Sequence, residues 1–482
     1  MKNDLKHKLH PKWESFCQRF HLPAHPRILV VGLERTGRSV CRLLAQFEVE
    51  IIGTDLAGPD RLDPELSTLP PHQVRFELGK HHSETFTAVD CIFVSPGVPL
   101  NLELFQGPRQ LGVPILNDIE LSAHLFGGSI VAITGSNGKT TATQLIGEIL
   151  QTQDHGCTIA GNIGKPVLDS AFLNYNHNHD LVLEVSSFQL EAIRFFKPCI
   201  AVLLNLTPDH LDRYSSLEAY YQSKFLLFKN QNSQDWAVLN QDDQWIKAHS
   251  SALKSRLVWF SRTQPVPYGV WLHDDWVVTN MTPSEQRLFS VRSFKLPGRH
   301  NHENLLAAVA VGLIKGIAGP IMESVSAQFS GLPHRFEQIA TFKDRVFIND
   351  SKATNVGAVV AALAGHKTPV HLIMGGRNKG GNFDPLVKIV KEKVVHLYLI
   401  GEASQEIAST VSGSIPFTEC PSLDSAVELA YKNSNPGESI ILSPGCASFD
   451  MFKNFEDRGN HFKTIVSSLM VTEKNHAENF SL

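Results

Sequence analysis

The octapeptide Thr134-Gly135-Ser136-Asn137-Gly138-Lys139-Thr140-Thr141 carries the strongest chemical signal in the chain. It follows an apolar run at 130–134 and opens a stretch of helical period, which predicts a strand, a glycine-rich turn and a helix. Such a turn lets backbone N–H groups surround phosphate oxygens, and the helix N-terminus favours their charge. The Lys139 ammonium can neutralise terminal phosphates, and the Thr140 hydroxyl can ligate Mg²⁺. The turn is shorter than the full phosphate-loop pattern, whose first glycine would fall at Ile133. An ordinary strand-to-helix turn is the competing reading, and Gly-Lys-Thr in this context weighs against it.

Other residues gain meaning from that loop. Glu184 ends an apolar run and would sit at the C-terminal end of a strand, where parallel sheets place their ligands. A carboxylate there suits Mg²⁺, a hard cation that prefers oxygen; taken alone, Glu184 could equally be a capping or salt-bridged side chain. His210 follows another apolar strand in the same way, and a lone histidine is usually structural. Lys352 and Lys379 each follow a strand in the last third of the chain. These two cations and the hydroxyls of Thr354 and Ser448 could hold a dicarboxylic amino acid, although isolated lysines are more often surface residues.

The elements that must position these groups fall into three α/β domains, predicted at 1–127, 128–331 and 332–482. Residues 27–31 form a strand that turns at Gly32-Leu33-Glu34-Arg35-Thr36-Gly37 into a helix. Further strands at 49–53, 91–95 and 114–116 complete a Rossmann-like unit. Strands at 130–134, 181–185 and 201–205, separated by helical stretches, imply a mostly parallel central sheet of the phosphate-loop ATPase type. From 236 to 296 apolar/polar alternation with tight turns predicts an antiparallel flap. Five of the six tryptophans lie there and read as its packed core. Strands at 346–348, 370–374, 395–400 and 439–442 make a second Rossmann-like unit. Residues beyond 470 read as a polar, mobile tail.

Composition narrows the function. A net charge of −4 provides no field to recruit nucleic acid or anionic lipid. The 7 cysteines are scattered, without a C-x-x-C pair, so neither a disulfide framework nor a zinc site is indicated, and a reducing cytoplasm fits. The segment 177–179, His-Asn-His, lacks zinc-type spacing and reads as a solvated loop. The longest apolar stretch, 305–314, is far short of the ~20 residues of a membrane span. In the extension 1–26, Trp13, Phe16, Cys17 and Phe20 predict one short amphipathic helix docked on its own domain. No nucleic-acid or membrane partner is expected, and the chain is expected to be a monomer.

The short loop resembles that of the Mur ligase family, the ATP-dependent amino-acid-adding enzymes of peptidoglycan synthesis. Further blocks extend the resemblance in order: Gly161-Asn162-Ile163-Gly164, then Ser186-Ser187-Phe188-Gln189-Leu190-Glu191 after Glu184, then Asp209-His210-Leu211-Asp212. Asn301 with Asn304, His334-Arg335-Phe336, Asp350-Ser351-Lys352 and Cys446-Ala447-Ser448-Phe449-Asp450 follow. The resemblance implies a ligase that adds D-glutamate to UDP-N-acetylmuramoyl-L-alanine through an acyl phosphate. It implies that Gly135 to Thr141, Asn301, Asn304, Arg335 and Asp350 hold ATP. It places Thr36, Asp55, Gly97, Asn162 and His210 at the UDP-substrate. Lys352, Thr354, Lys379, Ser448, Phe449 and Phe455 would hold D-glutamate. Two Mg²⁺ ions would lie at Thr140, Glu184, His210 and Lys224, with Lys224 carbamylated and Lys139, Glu184, His210 and Lys224 carrying the catalysis.

The first domain departs from the family at Glu34, where glycine is favoured, and at Leu56-Ala57, where some members carry arginine. A carboxylate at 34 adds bulk and repulsion beside a pyrophosphate and argues against a nicotinamide oxidoreductase. The remaining alternatives are a sister ligase with another acceptor and a regulatory protein that keeps only the nucleotide fold. Lys139, Thr140, Glu184, His210, Lys224 and Lys352 speak against the second.

Overall fold

The computed structural model describes residues 2–162, 166–170, 179–209, 213–296, 298–378 and 380–479. It forms two compact units, one of Met1–Asn205, Tyr221–Ser290 and Asn304–Val325, the other of Leu206–Tyr220, Val291–Glu303 and Ser326–Leu482.

The first unit holds two sheets. In the N-terminal one, β1 (Arg27–Val31), β2 (Glu50–Asp55), β3 (Val74–Leu78), β4 (Cys91–Val94) and β5 (Ile115–Leu116) lie in the order β3-β2-β1-β4-β5, all parallel. β3 has no counterpart among the predicted strands. It is an edge strand that buries only Val74 and lacks the apolar run of the others. Leu29, Ile52, Phe86, Ile92 and Phe105 form the core on one face. The turn after β1 is fixed by close packing: a Cβ on Gly37 would stand 1.8 Å from the Gly32 carbonyl oxygen.

The helix Lys2–Arg19 meets the amphipathic expectation. Trp13, Phe16, Cys17 and Phe20 are all buried. Trp13 stacks on Phe47 with centroids 4.7 Å apart, and Phe16 lies 6.2 Å from Phe93 on β4.

The central sheet comprises β6 (Ser129–Thr134), β7 (Cys157–Gly161), β8 (Asp180–Glu184), β9 (Ile200–Leu203), β10 (Trp236–Asn240), β11 (Arg256–Ser261), β12 (Gly269–His273), β13 (Trp276–Thr279) and β14 (Gln286–Ser290). Its order is β14-β13-β12-β11-β10-β9-β6-β8-β7. The antiparallel part is narrower than predicted. β10, β11 and β12 continue the parallel sheet, and only β12-β13-β14 run antiparallel. β10, β11 and β12 are buried at consecutive positions, as parallel strands covered on both faces are, and not on one face only. Trp259 and Trp271 are buried as a core requires, whereas Trp276 is exposed. The apolar stretch 305–314 belongs to the helix Arg299–Ile314, whose residues Leu305 to Val311 are buried on every side. Among the described residues no helix is long and apolar enough to cross a membrane.

The first two sheets are joined through Glu120, on the helix Asp118–Leu125. Its buried carboxylate accepts from the backbone N–H groups of Arg194, Phe195 and Phe196 at 2.8 to 3.0 Å.

In the second unit, β15 (Glu337–Phe342), β16 (Arg345–Asn349), β17 (Val370–Gly375), β18 (Val394–Ile400), β19 (Phe417–Glu419) and β20 (Ser439–Gly445) form a sheet ordered β15-β16-β20-β17-β18-β19. Only β15 is antiparallel. Neither β15 nor β19 was expected from sequence; both are edge strands with no fully buried residue. Leu372 and Met374 pack on one face and Ile373 on the other, so the sheet is dry on both sides. Residues 471–479 are not a loose tail: the helix Phe455–Asn479 continues through them. Glu473 on this helix pairs with Lys343 and accepts from Tyr431 Oη at 3.1 Å.

Candidate active site

β6 lies between β8 and β9, the point where successive connections leave in opposite directions across the central sheet. Ligands bind outside the carboxyl ends of strands at such a switch point. Three strand ends therefore converge there: the glycine turn after β6, Glu184 on β8 and Asn205 beyond β9.

The helix that follows the turn, Lys139–Leu150, begins after Gly138, whose φ of 80° lies in the left-handed region. A Cβ at this position would also stand 2.3 Å from Asn304 Oδ1, so both the backbone and the neighbour demand glycine. Ala142 makes the first helical bond, to the Gly138 carbonyl. The amides of Lys139, Thr140 and Thr141 thus precede any acceptor within the helix, as an anion site requires. The upstream amides are used differently from the expectation. Ser136 N donates to Asn205 O at 2.9 Å, and Asn137 N donates to Asn205 Oδ1 at 2.8 Å. Asn205 Nδ2 returns a bond to Asn137 O at 3.1 Å. Lys139 Nζ folds back onto the carbonyls of Gly135 and Ser136, each at 2.8 Å. Asn205 was not singled out from sequence, because one asparagine after a strand forms no pattern; its part emerges from the adjacency of β9 and β6.

Glu184 is 2% exposed. Asn162 Nδ2 donates to its Oε1 at 3.0 Å, and Asn162 N to its main-chain oxygen at 2.9 Å. Oε2 of the same carboxylate is buried without a hydrogen-bond partner among the described residues. A buried carboxylate oxygen left so is costly unless a cation meets it, and Mg²⁺ fits this donor. Lys224, in the helix Leu217–Phe225, is also 2% exposed. Thr140 and Thr141 are buried at the helix start. His210, with Leu211 and Asp212, lies outside the described residues, as does Lys379. Of the His-rich segment, 177 and 178 also lie outside them. His179 is buried and bonded to Thr158 Oγ1 at 2.7 Å, which corrects its reading as a solvated residue.

In the N-terminal sheet, a cavity of ≈ 330 Å³ opens at the ends of β1 and β2, lined by Leu33, Glu34, Arg35, Arg38, Asp55 and Arg61 among others. The Asp55 carboxylate accepts from Leu33 N at 2.6 Å and from Ala57 N at 2.8 Å, tying the two loops together. Thr36 and Gly97 are outside this lining: Thr36 is half-buried on the helix Arg35–Leu44, and Gly97 is exposed. The Glu34 side chain is exposed and makes no capping bond.

In the second unit, Asp350 follows β16 and is buried. Its Oδ1 accepts from Phe336 N at 3.0 Å and its Oδ2 from Ser443 Oγ at 2.7 Å. Burial pushes its carboxyl up to about 7, against the opposing pull of those bonds and of nearby Arg335. Asn301, on the first turn of its helix, is buried.

Three loops meet at the carboxyl ends of β16, β20 and β17. Gly445 N bonds Ala353 O at 2.8 Å, and Arg377 and Ala447 exchange backbone bonds at 2.9 and 3.0 Å. Lys352, Thr354 and Ser448 lie on these loops, Ser448 being 2% exposed. Lys352 Nζ stands 3.7 Å from the centroid of Phe455, a cation–π contact between two of the predicted amino-acid ligands. Phe449 is 65% exposed beside them. Ser351 Oγ and its carbonyl are both bound by the buried guanidinium of Arg458, which sequence reasoning also missed. An arginine on an amphipathic helix gives no sign of pointing inward.

Comparison with known proteins accounts for most of the chain. Residues 26–117 match the Mur ligase MurD-like N-terminal domain, 133–312 the Mur ligase middle domain, and 334–446 the Mur ligase glutamate ligase domain. A UDP-N-acetylmuramoylalanine–D-glutamate ligase of Geotalea uraniireducens is 41% identical over 92% of this chain and 97% of its own. The enzyme of the same name from Desulfatibacillum aliphaticivorans is 38% identical over 92% and 98%. A pseudomurein peptide ligase type C from Methanothermus fervidus shares the fold, with a TM-score of 0.58 at 16% identity, over 92% of this chain and 100% of its own.

Proposed function

The chain belongs to the Mur ligase family, and from that membership we propose that it adds D-glutamate to UDP-N-acetylmuramoyl-L-alanine with hydrolysis of ATP to ADP and phosphate. The observation that carries the choice of amino acid is the gathering of Lys352, Thr354, Ser448 and Phe455 around three strand ends, with the Lys352 ammonium on the Phe455 ring. Cation, hydroxyls and an apolar wall together suit a small dicarboxylate.

The substrate carboxylate attacks the γ-phosphate, giving an acyl phosphate and ADP. The D-glutamate amine then attacks the acyl carbon, and the tetrahedral intermediate expels phosphate. The helix N-terminus at Lys139–Thr141 and the Lys139 ammonium meet charge that grows on the transferred phosphoryl group. Asn304 holds the glycine turn, and Asn301, Arg335 and Asp350 are assigned to the nucleotide. Asp55 serves the UDP moiety, with Thr36 and Gly97 assigned to the same substrate and Asn162 acting through Glu184. His210 is assigned to the UDP-substrate and to metal, and Lys379 and Phe449 to D-glutamate.

Thr140, Glu184, His210 and Lys224 would hold two Mg²⁺ ions, which supply charge neutralisation at the phosphates. Lys224 is carbamylated in this reading. Its burial penalises the ammonium, and only the neutral amine reacts with CO₂ to give the anion a metal needs. Domains 1–127, 128–331 and 332–482 divide UDP-sugar, ATP and amino acid among them. The protein works in the cytoplasm as a monomer on small-molecule substrates, with no nucleic-acid or membrane partner.

Phosphate release tests this directly. It requires ATP, UDP-N-acetylmuramoyl-L-alanine and D-glutamate together and falls to background when any one is omitted. Equal rates with L-glutamate would overturn the amino-acid assignment.

A further inference from the structure

The largest fully buried side chain of the described residues is a cation, Arg458, on the first turn of the helix Phe455–Asn479. Its Nε donates to Ser351 Oγ at 3.0 Å, and its Nη2 to Ser351 O at 2.9 Å and Cys446 O at 3.2 Å. Ser351 Oγ in turn donates to Phe455 O at 2.9 Å. On the remaining side, a Cβ at Gly376 would approach Nη1 to 3.2 Å, so the loop after β17 packs on the same group.

Each of these partners adjoins an amino-acid ligand. Ser351 precedes Lys352, Cys446 is two residues before Ser448, and Phe455 is itself one of the set. A planar fork with fixed donors thus holds the mutual spacing of three chain segments that are distant in sequence.

The charge matters beyond the geometry. Among the described residues no carboxylate forms an ion pair with Arg458. Its acceptors are neutral oxygens, and Asp450 acts only from a distance. Burial lowers the guanidinium to about 10, which leaves it charged at neutral pH. A spacer alone would not need an unpaired charge, whose burial is expensive. The second carboxylate of a bound dicarboxylic amino acid offsets that cost.

We propose that Arg458 is a positioning residue for D-glutamate, aligning Lys352, Ser448 and Phe455 and supplying from behind them a positive charge that favours a dicarboxylic acceptor. The inference rests on the D-glutamate reading above. It concerns acceptor binding and leaves the ATP site untouched.

Steady-state kinetics of the full-length enzyme test it, with D-glutamate and D-glutamine as paired acceptors. Arg458→Met raises the KM for D-glutamate at least ~30-fold, about 2 kcal/mol at tenfold per 1.4 kcal/mol. The KM for ATP stays within about twofold, and the preference for D-glutamate over D-glutamine narrows. Arg458→Lys restores the preference, which depends on charge, more fully than the KM, which depends on the fork. Ser351→Ala removes one fork acceptor and raises the D-glutamate KM by roughly fivefold to tenfold. It carries the test if Arg458→Met does not fold. An unchanged D-glutamate KM in Ser351→Ala, or equal rises in the ATP and D-glutamate KM values of Arg458→Lys, overturns the inference. Wild-type enzyme that ignores D-glutamate overturns the parent reading with it, whereas normal wild-type use beside unshifted variants overturns this inference alone.

Discussion

Asn162 donates its side-chain amide to one oxygen of Glu184, and the other oxygen of that buried carboxylate has no hydrogen-bond partner among the described residues. β7 and β8 are paired so that Gly161 stands opposite Glu184, and this register brings the asparagine of one loop to the carboxylate of the next strand. The orientation of the orphaned oxygen is therefore set by a neighbour. Glu184→Gln retains the shape and removes the charge. It should lower turnover by about 10² or more, the scale for a preorganised electrostatic contact. Asn162→Ala should cost about 10- to 100-fold, as supporting residues of metal ligands do. Phosphate-release rates and melting temperatures measured together decide this: losses of activity that track losses of stability would reject it.

Asn205 ties down the glycine turn after β6 through Oδ1 and Nδ2, both bonded to the Asn137 backbone. Asn205→Ala leaves Lys139 and the helix start intact but releases the turn. The KM for ATP should rise about tenfold, consistent with two lost hydrogen bonds of roughly 0.5–1.5 kcal/mol each. The D-glutamate KM should not move; if it rises as much as that for ATP, the role is not local.

Lys224 discriminates two chemistries by sign. If it serves as a carbamate, Lys224→Arg keeps a cation where an anion is needed and should be severely impaired. Lys224→Ala should then regain activity with added short carboxylates. Turnover near that of wild type in Lys224→Arg, with no CO₂ adduct in the native mass, would dispose of the carbamate.

Asp350 gives a pH signature. Its carboxyl is pushed up to about 7 in the folded protein, above the ~3.9 of an unfolded aspartate. The native state thus holds a proton that the unfolded chain has already released. That contribution to stability is complete below about pH 4 and is lost as pH rises toward 7. Asp350→Asn stays neutral throughout and can still accept from Phe336 N and donate to Ser443. The difference in urea midpoint should move in the variant's favour between pH 5 and pH 8. A difference that is the same at both values would contradict the assignment.

Sequence alone determined the chemistry of short segments. Gly138-Lys139-Thr140 after an apolar strand specifies a left-handed turn into a helix, because the glycine backbone and the helix start are both local. The same holds for Trp13, Phe16, Cys17 and Phe20, whose helical spacing alone predicts one buried face. Tertiary structure decided whatever depended on which strands are neighbours. β10 and β11 turned out parallel although they are neighbours in sequence, because the chain crosses back through the helix Gln244–His249 between them and does not turn in a hairpin. Asn205 reaches the glycine turn only because β9 pairs with β6, and Asn162 reaches Glu184 only because β7 pairs with β8. Arg458 lies more than a hundred positions beyond Ser351, so its hold on the loop that carries Lys352 exists only once β16 and β20 are side by side. Local periodicity encodes which face of an element is dry, whereas the partner of a buried polar group is set by the fold that closes around it.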